Sequence, residues 1–166
     1  MYDSRQNKPP ASRIVGIDYG MARIGVSLSD ERKIIATPLA TIKAEKLARR
    51  SATKVLREIL AHQEANHYVI EEIVIGLPLL LSGKSGLLAD EVKHFVELLR
   101  KLTTIPIVTW DERLTSVQAE RSLRESNMTR KKRAQVIDAV AAVIILQSYL
   151  DHKCIQRAAN DLLANL

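Results

Sequence analysis

The sequence predicts an α/β fold: an antiparallel meander of three strands extended by two parallel strands, with helices on both faces. Three observations predict it. Short apolar runs at 13–17, 24–28 and 33–42 follow one another through tight turns, as a meander requires. Residues Ile14, Val15 and Ile17 leave so little room for polarity that the first strand reads as covered on both sides. From about residue 60, strand-like and helix-like stretches alternate, the signature of parallel pairing through right-handed crossovers.

Taken in order, residues 1–12 are polar, end near Pro9-Pro10 and read as a flexible tail ahead of a single domain at 13–166. The third run carries Pro38, which removes a ladder donor and places that strand at a sheet edge. Residues 45–65 set Leu47, Val55, Leu56, Ile59 and Leu60 among Lys, Arg and Glu at a helical period. Strand returns at 69–76, a Gly/Ser/Pro loop follows at 77–86, and 87–102 is helical with Val92, Phe95, Val96 and Leu99 on one side. Residues 105–110 form a short strand. Thr115 with Gln118 forms a capping box, predicting a helix to about residue 125. The strongest helix covers 134–150 and is opened by the basic run Arg130, Lys131, Lys132 and Arg133; residues 151–166 add one short helix. This order of elements is the one a ribonuclease-H-like fold needs.

Composition bounds the function. Lys and Arg outnumber Asp and Glu by 25 to 19, which permits a polyanionic partner. Aromatics at 4% argue against a single-strand binder built on stacking rings. No stretch approaches the ~20 apolar residues of a membrane span. The N-terminus lacks the apolar core of a signal peptide, so the expected setting is cytoplasmic. A single cysteine, Cys154, cannot form an internal disulfide and reads as a small packing residue.

Three carboxylates carry the chemistry. Asp18 closes the first strand, with Gly16 and Gly20 beside it permitting close approach of backbone or ligand; Asp-Tyr-Gly is also an ordinary hairpin turn. Glu112 lies just past the last strand, so parallel neighbours would present both acids at one sheet edge. Asp138 sits in the strongest helix, on the face with Ala134, Ala141 and Ala142 that should be buried. A carboxylate there needs a partner. An arginine such as Arg23 or Arg113, protonation, or a divalent cation shared with Asp18 and Glu112 would each serve. Oxygen-only ligands select Mg²⁺ or Mn²⁺.

The segments GIDYGMARIGVSLSD, VIGLP at 74–78, DERLTS at 111–116 and IDAVAAVIILQSYLD at 137–151 together resemble the YqgF (RuvX) family. Its members are ribonuclease-H-like bacterial proteins, related to Holliday-junction resolvases and described as pre-16S rRNA nucleases. The resemblance implies that Asp18, Glu112 and Asp138 are catalytic, metal-binding acids in a nuclease that matures the 5′ end of small-subunit ribosomal RNA. Related resolvases use a fourth carboxylate one turn beyond the third, where this chain has Ala141 or Ala142.

Candidate nucleic-acid contacts are Arg23 and Arg113 beside the first two acids, Lys84 in the loop, and Arg130 to Arg133 one turn before Asp138. Basic residues so placed would grip phosphates of structured RNA, or of branched DNA, without reading sequence. A solvated helix start is the plain alternative for the basic run. Trp110 reads as core, and the four histidines receive no role. Other function classes stay in view: a catalytically weak nucleic-acid-binding factor in ribosome assembly or transcription, and an actin-like phosphotransferase, for which the chain is short.

Overall fold

A computed structural model describes residues 9–80, 82, 84, 86–114 and 130–164, the side chains of Leu114 and residues 130–138 excepted. Five strands form one sheet: β1 (Ser12–Tyr19), β2 (Arg23–Ser29), β3 (Ala36–Lys43), β4 (Val69–Leu77) and β5 (Ile107–Asp111). Their order is β3-β2-β1-β4-β5, with β1–β2 and β2–β3 antiparallel and β1–β4 and β4–β5 parallel. Pro38 lies in the outer strand β3, where a missing donor costs no ladder bond.

Helices cover both faces. On one, α1 (Ala48–Ala65) and α2 (Leu87–Leu102) bury Val55, Ile59, Val92, Phe95 and Leu99 against Val15, Ile17, Ile73 and Ile75. On the other, α3 (Arg130–Ala164) sets Ile145, Leu146, Tyr149 and Leu150 against Ile14 and Val74. Ile14 and Val15 thus belong to different cores, as strand alternation requires. Together they make the ribonuclease-H-like arrangement read from the sequence.

Several boundaries differ from the sequence reading for local reasons. Asp30 Oδ1 accepts from Ile34 N at 2.7 Å and Ile35 N at 3.0 Å, so a turn uses residues that would have lengthened β3. Helix α1 starts three residues late because Glu45 N donates to the buried Ser51 Oγ at 2.8 Å in the preceding loop. Strand β5 starts after Pro106, whose carbonyl accepts from Ile73 N at 2.9 Å. At the N-terminus, the Ala11 carbonyl already accepts from Val69 N at 2.9 Å and Ser12 opens β1; residues 1–8 of the expected tail lie outside the described residues. So does the helix expected at 115–125.

The expected break at residue 150 is absent: α3 runs unbroken for 35 residues, about 52 Å. No Gly or Pro interrupts it. Gln147 ties it to the start of β3, donating to the Ile34 carbonyl at 2.8 Å and accepting from Ala36 N at 2.9 Å. Tyr149 Oη and Lys153 Nζ both donate to Glu72 Oε2, at 2.7 and 2.8 Å. Beyond that point the helix leaves the sheet, and Cys154 is exposed rather than packed. Among the described residues no helix is long and apolar enough to cross a membrane.

Candidate functional site

The site grows from the edge where β1, β4 and β5 all end. Parallel pairing aligns Ile17 with Ile75, Gly76 with Trp110, and Leu77 with Asp111. Continuing the first register by one residue sets Asp18 beside Gly76. Asp18 follows Ile14 and Gly16 at a period of two, so it stands on the α3 face of the sheet.

Glu112 opens a 3-10 turn, Glu112–Leu114, directly after β5. Its carboxylate folds back over the neighbouring strand: a Cβ built on Gly76 would lie 2.7 Å from Glu112 Oε1 and 2.5 Å from Ile145 Cδ1. The missing side chain of Gly76 is the space that the carboxylate occupies. Two acids from distant parts of the chain therefore gather over one strand end. Both are half-buried and engaged in polar contacts.

The helix approaches this edge from the opposite direction to β1. Tyr149 bonds to Glu72, whereas Ile145, one turn earlier, meets Gly76. Earlier still, the carbonyl of the buried Ala142 accepts from Ser27 Oγ at 2.8 Å, and a Cβ on Gly16 would stand 3.1 Å from that carbonyl and 2.7 Å from Leu146 Cβ. Four residues back along α3 is about 6 Å. Two residues forward from Gly16 along β1 is about 6.6 Å. Position 138, one turn before Ala142, therefore lies further toward the strand ends; the Asp138 side chain is outside the described ones. Among the described residues no three acidic, histidine or cysteine side chains gather as a ligand set. Ala142 itself is fully buried.

Around the acids, Asp111 and Arg113 form a separate pair. Arg113 N and Nε both donate to Asp111 Oδ1 at 3.0 Å. This guanidinium bond holds the Asp111 carboxyl below its ordinary range. Asp111 is thereby committed to Arg113 rather than joining Glu112. Arg23 is exposed at the start of β2, one pair beyond Tyr19↔Ile24 on the same edge. Lys84 is exposed in the 78–86 loop, its carbonyl accepting from Leu80 N at 3.0 Å. Arg130 to Arg133 form the first turn of α3, their side chains outside the described ones. Trp110 is partly buried on the α3 core, donating to Ser148 Oγ at 3.2 Å and meeting Tyr149 edge-on at 5.4 Å. Gly76 is the site residue that the sequence reading passed over. Its signal was an isolated glycine in an apolar strand, which marks close approach.

The RuvX family model, described as Holliday junction resolvase, matches residues 12–152. The chain belongs to the RuvX family. A RuvX relative from Protochlamydia amoebophila (strain UWE25), named "Putative pre-16S rRNA nuclease", is 62% identical over 149 residues, spanning 90% of this chain and 99% of the relative. Another of the same name, from Desulforudis audaxviator (strain MP104C), is 42% identical over 141 residues, spanning 85% and 95%. Among solved structures, "T. thermophilus RuvC in complex with Holliday junction substrate" superposes with a TM-score of 0.51 at 14% identity, covering 86% of this chain and 96% of that one. That likeness is one of fold. The RuvX match ends at residue 152, close to where α3 leaves the sheet.

Proposed function

We propose that this RuvX protein is a divalent-metal-dependent nuclease that hydrolyses phosphodiester bonds, processing the 5′ end of pre-16S rRNA in the cytoplasm. The observation that carries the reading is the Glu112 carboxylate seated over Gly76, beside the strand end that bears Asp18. The names of the relatives support the reaction class and the RNA substrate.

The donor chemistry fits a hard cation, because Asp18, Glu112 and Asp138 offer only carboxylate oxygen. Mg²⁺ or Mn²⁺ held by these three would activate water and neutralise charge developing on the phosphate. Asp18 is carried by the end of β1 and Glu112 by the turn that follows β5, so two of the three acids come from rigid elements. Asp111 keeps Arg113 at the rim, and Arg23, Lys84 and the basic start of α3 supply phosphate contacts that set register without sequence. The family description favours a second reading, cleavage of branched DNA at the same acids.

The test is Asp138→Asn, which should retain the fold and lower divalent-dependent cleavage of structured RNA by about 10²-fold or more. Undiminished cleavage would overturn the assignment. Parallel assays on a four-way DNA junction decide between the two substrates.

A further inference from the structure

The basic groove on α1 lies away from the three acids and has no part in the function described so far. It is a shallow, open depression lined by Glu45, Arg49, Arg50, Thr53, Lys54 and Arg57. Arg49, Arg50 and Arg57 are exposed. Lys54 Nζ bonds both Glu45 Oε1 at 2.9 Å and the Lys43 carbonyl at 3.2 Å, which joins the groove to the end of β3.

Sheet topology then connects it to the acids. Strand β3 runs parallel to β1, so its end, Lys43, lies on the edge that carries Asp18. Lys43 is directly opposite Arg23, and Arg23 follows the pairs Asp18↔Gly25 and Tyr19↔Ile24. Arg23 and Lys43 thus stand on the α3 face of that edge with Asp18, and the Lys43 carbonyl bonded by Lys54 links the edge to α1 on the other face.

Within the fold, Glu45 meets Lys54 and Glu58 meets Arg57, but the groove still holds four cations to one carboxylate. Like charges opposite one another on neighbouring strands repel, as do those four residues apart on a helix face such as Arg50 and Lys54. The first turn of α1 holds arginine and no acid, against the helix dipole. A polyanion relieves all of these at once. Arg50, Lys54 and Arg57 span about 10 Å of helix, over which a duplex presents about six phosphate charges. With no aromatic ring in the lining, the groove suits backbone rather than bases.

We infer that the α1 groove, continued by Lys43 and Arg23, is a second track for the phosphodiester backbone of the nucleic acid whose scissile bond lies at Asp18, Glu112 and Asp138. The inference rests on the nuclease reading and is tested without turnover.

Binding of the full chain to a labelled RNA hairpin and to a four-way DNA junction is measured by fluorescence anisotropy in EDTA across a salt series. In R49Q/R50Q/R57Q the slope of log K against log salt should flatten by about two to three, and affinity at about 0.1 M salt should fall at least about tenfold. Glu45→Gln, which removes the groove's carboxylate, should tighten binding and steepen the slope. Whichever polymer shows both changes is the one the track carries. Parental slopes in both variants on both polymers overturn the inference. If circular dichroism shows the triple variant unfolded, an unchanged Glu45→Gln overturns it alone. A chain that binds along this track yet never cleaves sinks only the nuclease reading.

Discussion

Replacing Gly76 with alanine tests the site and the packing together. The added Cβ would lie 2.5 Å from Ile145 Cδ1 and 2.7 Å from Glu112 Oε1. Carbon atoms at rest stand about 3.5–4.0 Å apart, so both neighbours must retreat by about 1 Å. Ile145 is buried between helix and sheet, and overpacking of this kind costs about 1–3 kcal/mol. In a chain of this size that lowers Tm by about 2–12 °C. A 1 Å displacement of a reacting group costs about 10²-fold in rate, so cleavage should fall far more than folding. The assay is differential scanning fluorimetry beside a gel-based cleavage time course with Mn²⁺. Gly86→Ala, whose Cβ would meet Leu80 at an ordinary 3.8 Å, is the control for melting. Parental melting and parental cleavage in Gly76→Ala would refute the placement of Glu112.

Ser27→Ala should destabilise the protein by about 1 kcal/mol, read by urea denaturation, because the buried hydroxyl that reaches the Ala142 carbonyl is lost. The Lys33 hydrogen bond, with Ser12 beside it, holds the Glu71 carboxyl below its ordinary value. Its contribution is therefore present above about pH 4.3 and is lost as the pH falls below that. Glu71→Gln should flatten the acid limb of a Tm-versus-pH curve and leave its shape above pH 6 unaltered. Tyr149→Phe removes one of two donors to Glu72 and should cost about 1.5 kcal/mol in the same urea titration.

Where local chemistry and tertiary context agreed, the sequence was readable. Helix α2 has the bounds 87–102 that its period predicts, and Pro38 stands in the edge strand where a missing N–H is harmless. Gly16 was marked for close approach, and it is the α3 backbone that comes close. The strand ends of Asp18 and Glu112 were readable as well, since parallel order follows from alternating elements. What escaped depended on individual hydrogen bonds and contacts that apolar periodicity does not report. The shortened β3 follows from carboxylate bonds of Asp30, and the late β5 from a proline carbonyl serving β4. The unbroken α3 was missed because its polar end looks like a separate element, although nothing in residues 130–164 interrupts a helix. Cysteine is often buried, which makes Cys154 read as a packing residue, but it is exposed on α3 among the described residues.

Helix α3 also acts as a ruler. Gln147, Tyr149 and Lys153 pin one end of the scale, and every residue between there and Asp138 advances it by about 1.5 Å and turns it by about 100°. One residue inserted at 143 would leave each anchor intact yet swing position 138 through more than a quarter of a revolution. The same insertion would carry the Ala142 carbonyl away from Ser27, so the register of one helix sets both the acid's position and a buried bond.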